Sequence, residues 1–93
     1  MPKRIRFGLQ ANHVEDPNEL AEIARKAEDL GYDTLLWPDH MNRQGSPLLM
    51  CLHAALSTTH LRVGTQVIAN DFRPPVLLAK EVATIYMLTG GRF

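Results

Sequence analysis

Asp39 and His40 stand side by side directly after the apolar run Thr34-Leu35-Leu36-Trp37 and the strand-breaking Pro38. An imidazole titrates near neutrality, so a histidine can hold or release a proton at working pH, and an adjacent carboxylate can bias its tautomer or its charge. In parallel α/β folds the residues just past a strand's C-terminal end face the site, whereas those within the strand fill the core. The pair therefore stands where a barrel enzyme delivers acid–base chemistry. The alternative is an Asp39 that caps a turn and a His40 that only lines the rim. The other histidines read differently: His13 follows the first predicted strand in a loop, His53 lies on a predicted helix, and His60 opens a strand. Asp33, Asp39, His40 and Asp71 lack the ligand spacing of a zinc or calcium site, so no metal is expected.

The elements that must position this pair follow from periodicity. Ile5 to Gln10 is predicted as a first strand, with Ile5, Phe7 and Leu9 on one face. A helix follows, with Asp16 as its cap, Pro17 at its first position, and Glu19 placed to answer the Asp16 amide. Its inward stripe is Leu20, Ile23, Ala24, Ala27 and Leu30, and Gly31 is suited to end it in a left-handed conformation. The second strand runs Thr34 to Trp37. The polar loop Asp39 to Gly45 leads to Ser46-Pro47, a cap and first position for a helix carrying Leu48, Leu49, Cys51, Leu52, Ala55 and Leu56. Leu61 to Ile68 is predicted as a third strand, apolar enough to be covered on both faces. After the loop Ala69-Asn70-Asp71-Phe72-Arg73, Pro74-Pro75 opens a third helix with the stripe Val76, Leu77, Ala79, Val82, Ala83, Ile85 and Leu88, closed by Gly90-Gly91.

Composition narrows the function classes. The 93 residues are 45% hydrophobic and 22% charged, and ten Lys and Arg balance ten Asp and Glu. A zero formal charge gives no long-range field of one sign, and the basic residues are scattered apart from Lys3, Arg4 and Arg6, which argues against nucleic acid or anionic lipid as a partner. No apolar run approaches the ~18 residues of a membrane span, and the charged opening lacks the core of a signal peptide, so a cytoplasmic location is expected. Cys51 has no second cysteine with which to pair, and it lies among Leu49, Met50 and Leu52, which predicts burial rather than redox chemistry.

Three strand-helix units with short loops predict a parallel sheet. A doubly wound nucleotide domain would show a Gly-rich turn after its first strand, but that turn reads Gln10-Ala11-Asn12-His13-Val14-Glu15, without a G-x-G-x-x-G or Walker pattern. A barrel is favoured. Four stretches then carry a resemblance: Ala21 to His40 (AEIARKAEDLGYDTLLWPDH), Leu61 to Thr65 (LRVGT), Arg73-Pro74-Pro75 through Leu78 to Thr84 (LAKEVAT), and Gly90 to Phe93 (GGRF). Together, in this order and spacing, they resemble the opening of the bacterial-luciferase-like monooxygenase superfamily over nearly the whole chain.

The resemblance implies that residues 1–93 are the N-terminal segment of one (β/α)₈ barrel domain, an α/β fold truncated before its fourth strand. It implies reduced flavin mononucleotide (FMN) with oxygen, or the deazaflavin coenzyme F-420 (F420 below) for hydride transfer, with F420 preferred and a small molecule as substrate. It places Asp39 against the cofactor and His40 near the transferred hydride. It also places a non-prolyl cis peptide at Gln66-Val67, backing the ring, with Ala69 and Asn70 supplying further cofactor contacts. A full barrel takes ~250 residues and usually binds phosphate through loops after its last strands, so the segment alone is expected to be inactive and not to hold the cofactor. Unpartnered sheet edges favour a homo-oligomer, or a truncated scaffold that self-associates without catalysis. An unrelated open α/β binding domain is the remaining alternative.

Overall fold

Each α-helix of the chain begins on a proline. Pro17, Pro47 and Pro75 are the first residues of α1 (Pro17–Asp29), α2 (Pro47–Leu56) and α3 (Pro75–Leu88), where a missing N–H costs nothing and the fixed φ suits the first turn. A computed structural model describes residues 3–42 and 44–93. The helices alternate with β1 (Gly8–Gln10), β2 (Thr34–Trp37) and β3 (Arg62–Thr65), and a 3₁₀ turn at Asn70–Phe72 precedes α3. The strands form one parallel sheet in the order β1-β2-β3, with Leu9, Leu35 and Val63 in register.

That register layer builds the core. Leu35, Trp37 and Val63 pack against Leu20, Ala24 and Ala27 of α1 and Leu48, Cys51, Ala54 and Ala55 of α2 in one buried cluster. The alternate positions Gly8, Thr34, Leu36, Arg62 and Gly64 belong to the opposite face. Arg62 is exposed there, so β3 is covered on one face and not on both as its apolar sequence suggests.

The first helix forms as its sequence predicts, with one difference. The Asp16 side chain accepts the Glu19 amide at 2.9 Å, but the Glu19 carboxylate takes the Glu15 amide at 3.1 Å and not that of Asp16, because the extended Asp16 brings the preceding N–H within reach. At the other end Gly31 takes φ +90°, and its amide and that of Tyr32 return to the Glu28 and Ala27 carbonyls, the paired bonds of a Schellman ending. Ser46 makes no side-chain capping bond to α2.

Several predicted stripes differ in burial. Ile5, Phe7 and Leu30 are exposed. β1 is shorter than predicted because the Asp33 carboxylate takes the Phe7 amide at 3.0 Å and an ion pair from Arg4, a side-chain partner in place of a strand. β3 ends before the Gln66–Val67 bond, which is cis. Leu49 and Leu56 of α2 are exposed, and so are Val76, Leu77 and Leu88 of α3; only Ile85 of α3 is buried. α3 meets the rest of the chain mainly along α2, so most of its apolar surface has no partner. No helix among the described residues is long and apolar enough to cross a membrane.

Candidate functional site

The C-terminal ends of three parallel strands lie at one end of the sheet, and the loops leaving them carry the site residues. Pro38 ends β2 and hands the chain to Asp39 and His40, which differ sharply in environment. Asp39 is buried, with its side chain 4% exposed, whereas His40 is open to solvent. The Asp39 carboxylate accepts the Ala69 amide at 2.8 Å and both terminal nitrogens of Arg73, one through Oδ2 and the other at 3.2 Å through Oδ1. Arg73 Nη1 also donates to the Ala69 carbonyl at 3.1 Å. The Arg73 hydrogen bonds hold the Asp39 carboxyl below the usual carboxylate range against the opposing effect of burial; the Ala69 amide and the charges of Arg73 and His40 add to them. Asp39 is therefore an anion fixed in place, and His40 beside it is exposed.

The other predicted positions lie on the loop after β3. The Gln66 carbonyl accepts the Gln10 side-chain amide at 3.1 Å, which ties the ends of β1 and β3 together. Gln66 and Val67 are exposed at the cis bond. Both polar groups of the Ala69 peptide unit are engaged within the chain, and Asn70 is exposed, its carbonyl accepting the Arg73 amide at 3.2 Å. The structure thus joins Asp39 to Ala69 directly and Gln66 to Gln10. Asp39, His40, Met41, Phe72 and Arg73 line an open cleft of about 470 Å³. A neighbouring polar cleft of about 380 Å³ is lined by Asn12, His13, Asn42 and Gln44, and the His13 ring lies 3.6 Å from Glu15. His53 instead lies against the Pro17 carbonyl at 2.9 Å, and the exposed His60 lies beside Glu28. Among the described residues no group of three or more His, Cys, Asp or Glu could hold a metal ion.

Sequence reasoning missed Arg73, which braces this rim, and Glu28 and Arg92, which hold the opposite end of β3. Arg73 is a lone cation ahead of two prolines, with no local pattern to tie it to an aspartate 34 residues away. Glu28, in the last turn of α1, accepts the amides of Thr59, His60 and Leu61 at 2.6–3.2 Å and fixes the entry to β3. Burial alone would raise its pKa, but the three amides outweigh that and hold it low. Arg92 donates to the Ala55 and Leu61 carbonyls at 2.8 and 3.2 Å, and its own carbonyl accepts the Val63 amide at 2.9 Å. That last bond brings the chain after α3 back to the free edge of β3.

Comparison with known proteins identifies the family and the fold. A family model described as luciferase-like monooxygenase matches residues 2–93. An F420-dependent glucose-6-phosphate dehydrogenase of Kribbella flavida is 33% identical over 97 residues, covering 95% of this chain and 29% of that protein. A 5,10-methylenetetrahydromethanopterin reductase of Methanopyrus kandleri is 27% identical over 88 residues, covering 95% of this chain and 25% of its own length. The chain thus spans less than a third of either relative. The solved structure of a coenzyme F420-dependent tetrahydromethanopterin reductase from Methanopyrus kandleri superposes with a TM-score of 0.86 at 27% identity, over 97% of this chain and 26% of that one. The likeness decides between the two architectures that three βα units allow, in favour of the barrel.

Proposed function

Since this chain belongs to the luciferase-like monooxygenase family, we propose that residues 1–93 are the N-terminal segment of one barrel domain of an F420-dependent oxidoreductase acting on a small molecule. The observation that carries this reading is the split between neighbours at the rim: a fixed, buried Asp39 anion and a solvent-open His40, in a chain similar to F420-dependent enzymes. When bound, the deazaflavin supplies hydride transfer. His40 holds or gives up the proton that accompanies it, beside the fixed Asp39 anion. Gln66, Val67 and Asn70 are exposed on the loop after β3 and fit a flat polar ring: Val67 offers an apolar contact, and Gln66 and Asn70 offer amide donors and acceptors. Ala69, whose polar backbone atoms are taken, supports that loop from behind.

Turnover is not expected of these residues alone, because barrels usually hold the cofactor phosphate with loops after their last strands. The same reading places the protein in the cytoplasm without a nucleic-acid partner, and the exposed apolar side of α3 supports self-association. A second reading, oxygen-dependent chemistry with FMN, is favoured by the family description itself.

The test is titration of the ¹⁵N-labelled chain with F420 and, separately, with FMN. Without the later phosphate-binding loops F420 is not held stably, so only fast-exchange shifts at high cofactor excess are expected, at the amides of His40, Gln66, Val67 and Asn70 and not in α1. Stronger shifts of the same amides by FMN would favour the second reading, and shifts scattered away from the rim with either compound would overturn both.

A further inference from the structure

We propose that Arg73 is a positioning residue of this site: it locks the loop after β3 onto Asp39, so that His40 and residues 66–70 form one surface before any ligand arrives. What the surface binds rests on the F420 reading above; that it is preformed rests on geometry alone.

The geometry is a closed ring of three groups. Arg73 Nη1 and Nη2 reach the two oxygens of Asp39, Nη1 also reaches the Ala69 carbonyl, and the Ala69 amide returns to Asp39 Oδ2. One guanidinium, one carboxylate and one peptide unit thereby cross-link two rim loops. The other bonds of the loop are a local turn, Phe72 to the Ala69 carbonyl and Arg73 to the Asn70 carbonyl, and two at its start, the Gln10 side-chain amide on the Gln66 carbonyl and the Gln66 amide on the Trp37 carbonyl at 3.0 Å. The last of these holds the start of the loop to the final residue of β2, but none of them reaches Asp39 or holds the loop at Ala69 to the loop after β2. His40 is joined to Asp39 by one peptide bond, so whatever fixes Asp39 fixes the base of His40.

A ligand-binding role for Arg73 is less consistent with these contacts. Its side chain is 15% exposed and both terminal nitrogens are engaged. Its charge is matched by Asp39, with Glu81 of α3 as a further acidic neighbour, so little positive potential is left for a phosphate. The planar fork also explains the residue type: a lysine carries the charge but cannot span two carboxylate oxygens and a carbonyl with fixed geometry.

The experiment compares Arg73→Met, Arg73→Lys and Asp39→Asn with the wild-type 93-residue chain. It follows amide hydrogen exchange at Ala69, with the β2 amides as internal reference, and the titration of the Asp39 carboxyl by ¹³C NMR. That carboxyl faces Arg73 and His40, so the His40 titration is recorded in the same spectra. In Arg73→Met, Ala69 exchange should rise about tenfold or more while the β2 amides change less than about twofold. The Asp39 midpoint should move up towards that of a free carboxyl, and Arg73→Lys should recover part of both effects. Unchanged Ala69 protection in Arg73→Met and Asp39→Asn would overturn the proposal, as would equal loss at Ala69 and throughout β2. Should Arg73→Met fail to fold, Arg73→Lys gives both readouts and Asp39→Asn gives the Ala69 exchange. An F420 titration separates this inference from the reading beneath it. A loosened loop with no F420 response in wild type leaves Arg73 as proposed and removes the cofactor. Identical F420 shifts in wild type and Arg73→Met would remove Arg73 and leave the cofactor.

Discussion

Replacing Glu28 should loosen the entry to β3, at the end of the sheet opposite the rim. Its carboxylate accepts the amides of Thr59, His60 and Leu61, the turn that enters β3, and its side chain is 11% exposed. A hydrogen bond to a charged acceptor contributes about 1.5–3 kcal/mol, but these amides lie near solvent and water replaces part of what is lost, so about 2–4 kcal/mol is expected for Glu28→Ala. That is a large share of a domain stability of roughly 5–15 kcal/mol. Glu28→Gln keeps an acceptor without the charge and should lose about half as much. The pH dependence has a definite sign. The folded-state pKa lies below the usual 4.5, so the carboxylate's contribution is fully present above that value and is lost as pH falls through the depressed one. The gap between wild type and Glu28→Gln should therefore close on acidification. Urea denaturation of the three proteins from neutral pH down to the acid limit of folding measures this. A Glu28→Ala loss under about 0.5 kcal/mol, within the range of ordinary surface changes, or a gap indifferent to pH, would refute the clasp.

Two further outcomes follow from single positions. Gly31 sits at φ +90° with nothing within 4 Å of where a Cβ would stand, so Gly31→Ala isolates the left-handed backbone cost, about 1–2 kcal/mol by urea denaturation, and a loss below about 0.3 kcal/mol would contradict it. Burial pushes the Cys51 thiol up to about 12 and its sulfur donates to the Gly64 carbonyl at 3.2 Å. Iodoacetamide should thus alkylate the native chain about a thousandfold more slowly than a free thiol and reach normal rates only in denaturant; a native rate within about tenfold of the free thiol would contradict the burial.

What could be read from the sequence was what is local in it. Asp16, Pro17 and Gly31 bound α1 because capping and a left-handed ending are settled within five residues, and Pro38 ends β2 for the same reason. Burial was less legible. Leu30, Leu49, Val76 and Leu88 satisfy helical periodicity yet stand exposed, since periodicity records which face is apolar and only a neighbour can cover it. Ile5 and Phe7 alternate as a strand should, but the Asp33 side chain takes the amide that would have extended β1.

The candidate site divides along the same line. A histidine past a strand end is a local pattern, so His40 could be singled out as a candidate. Its aspartate neighbour looked like part of the same chemistry because the two are adjacent in sequence. In the fold they part: Asp39 turns inward to Arg73 and Ala69, a partnership that joins two loops and leaves no trace in spacing. The separation divides the pair. Asp39 accepts the Ala69 amide and both terminal nitrogens of Arg73 and is held as an anion, so protonating it would weaken the ring that holds the loop after β3. His40 is exposed and outside that ring; under the proposed function, proton exchange with a ligand is accordingly assigned to His40, and the shape of the surface beside it to Asp39 and Arg73.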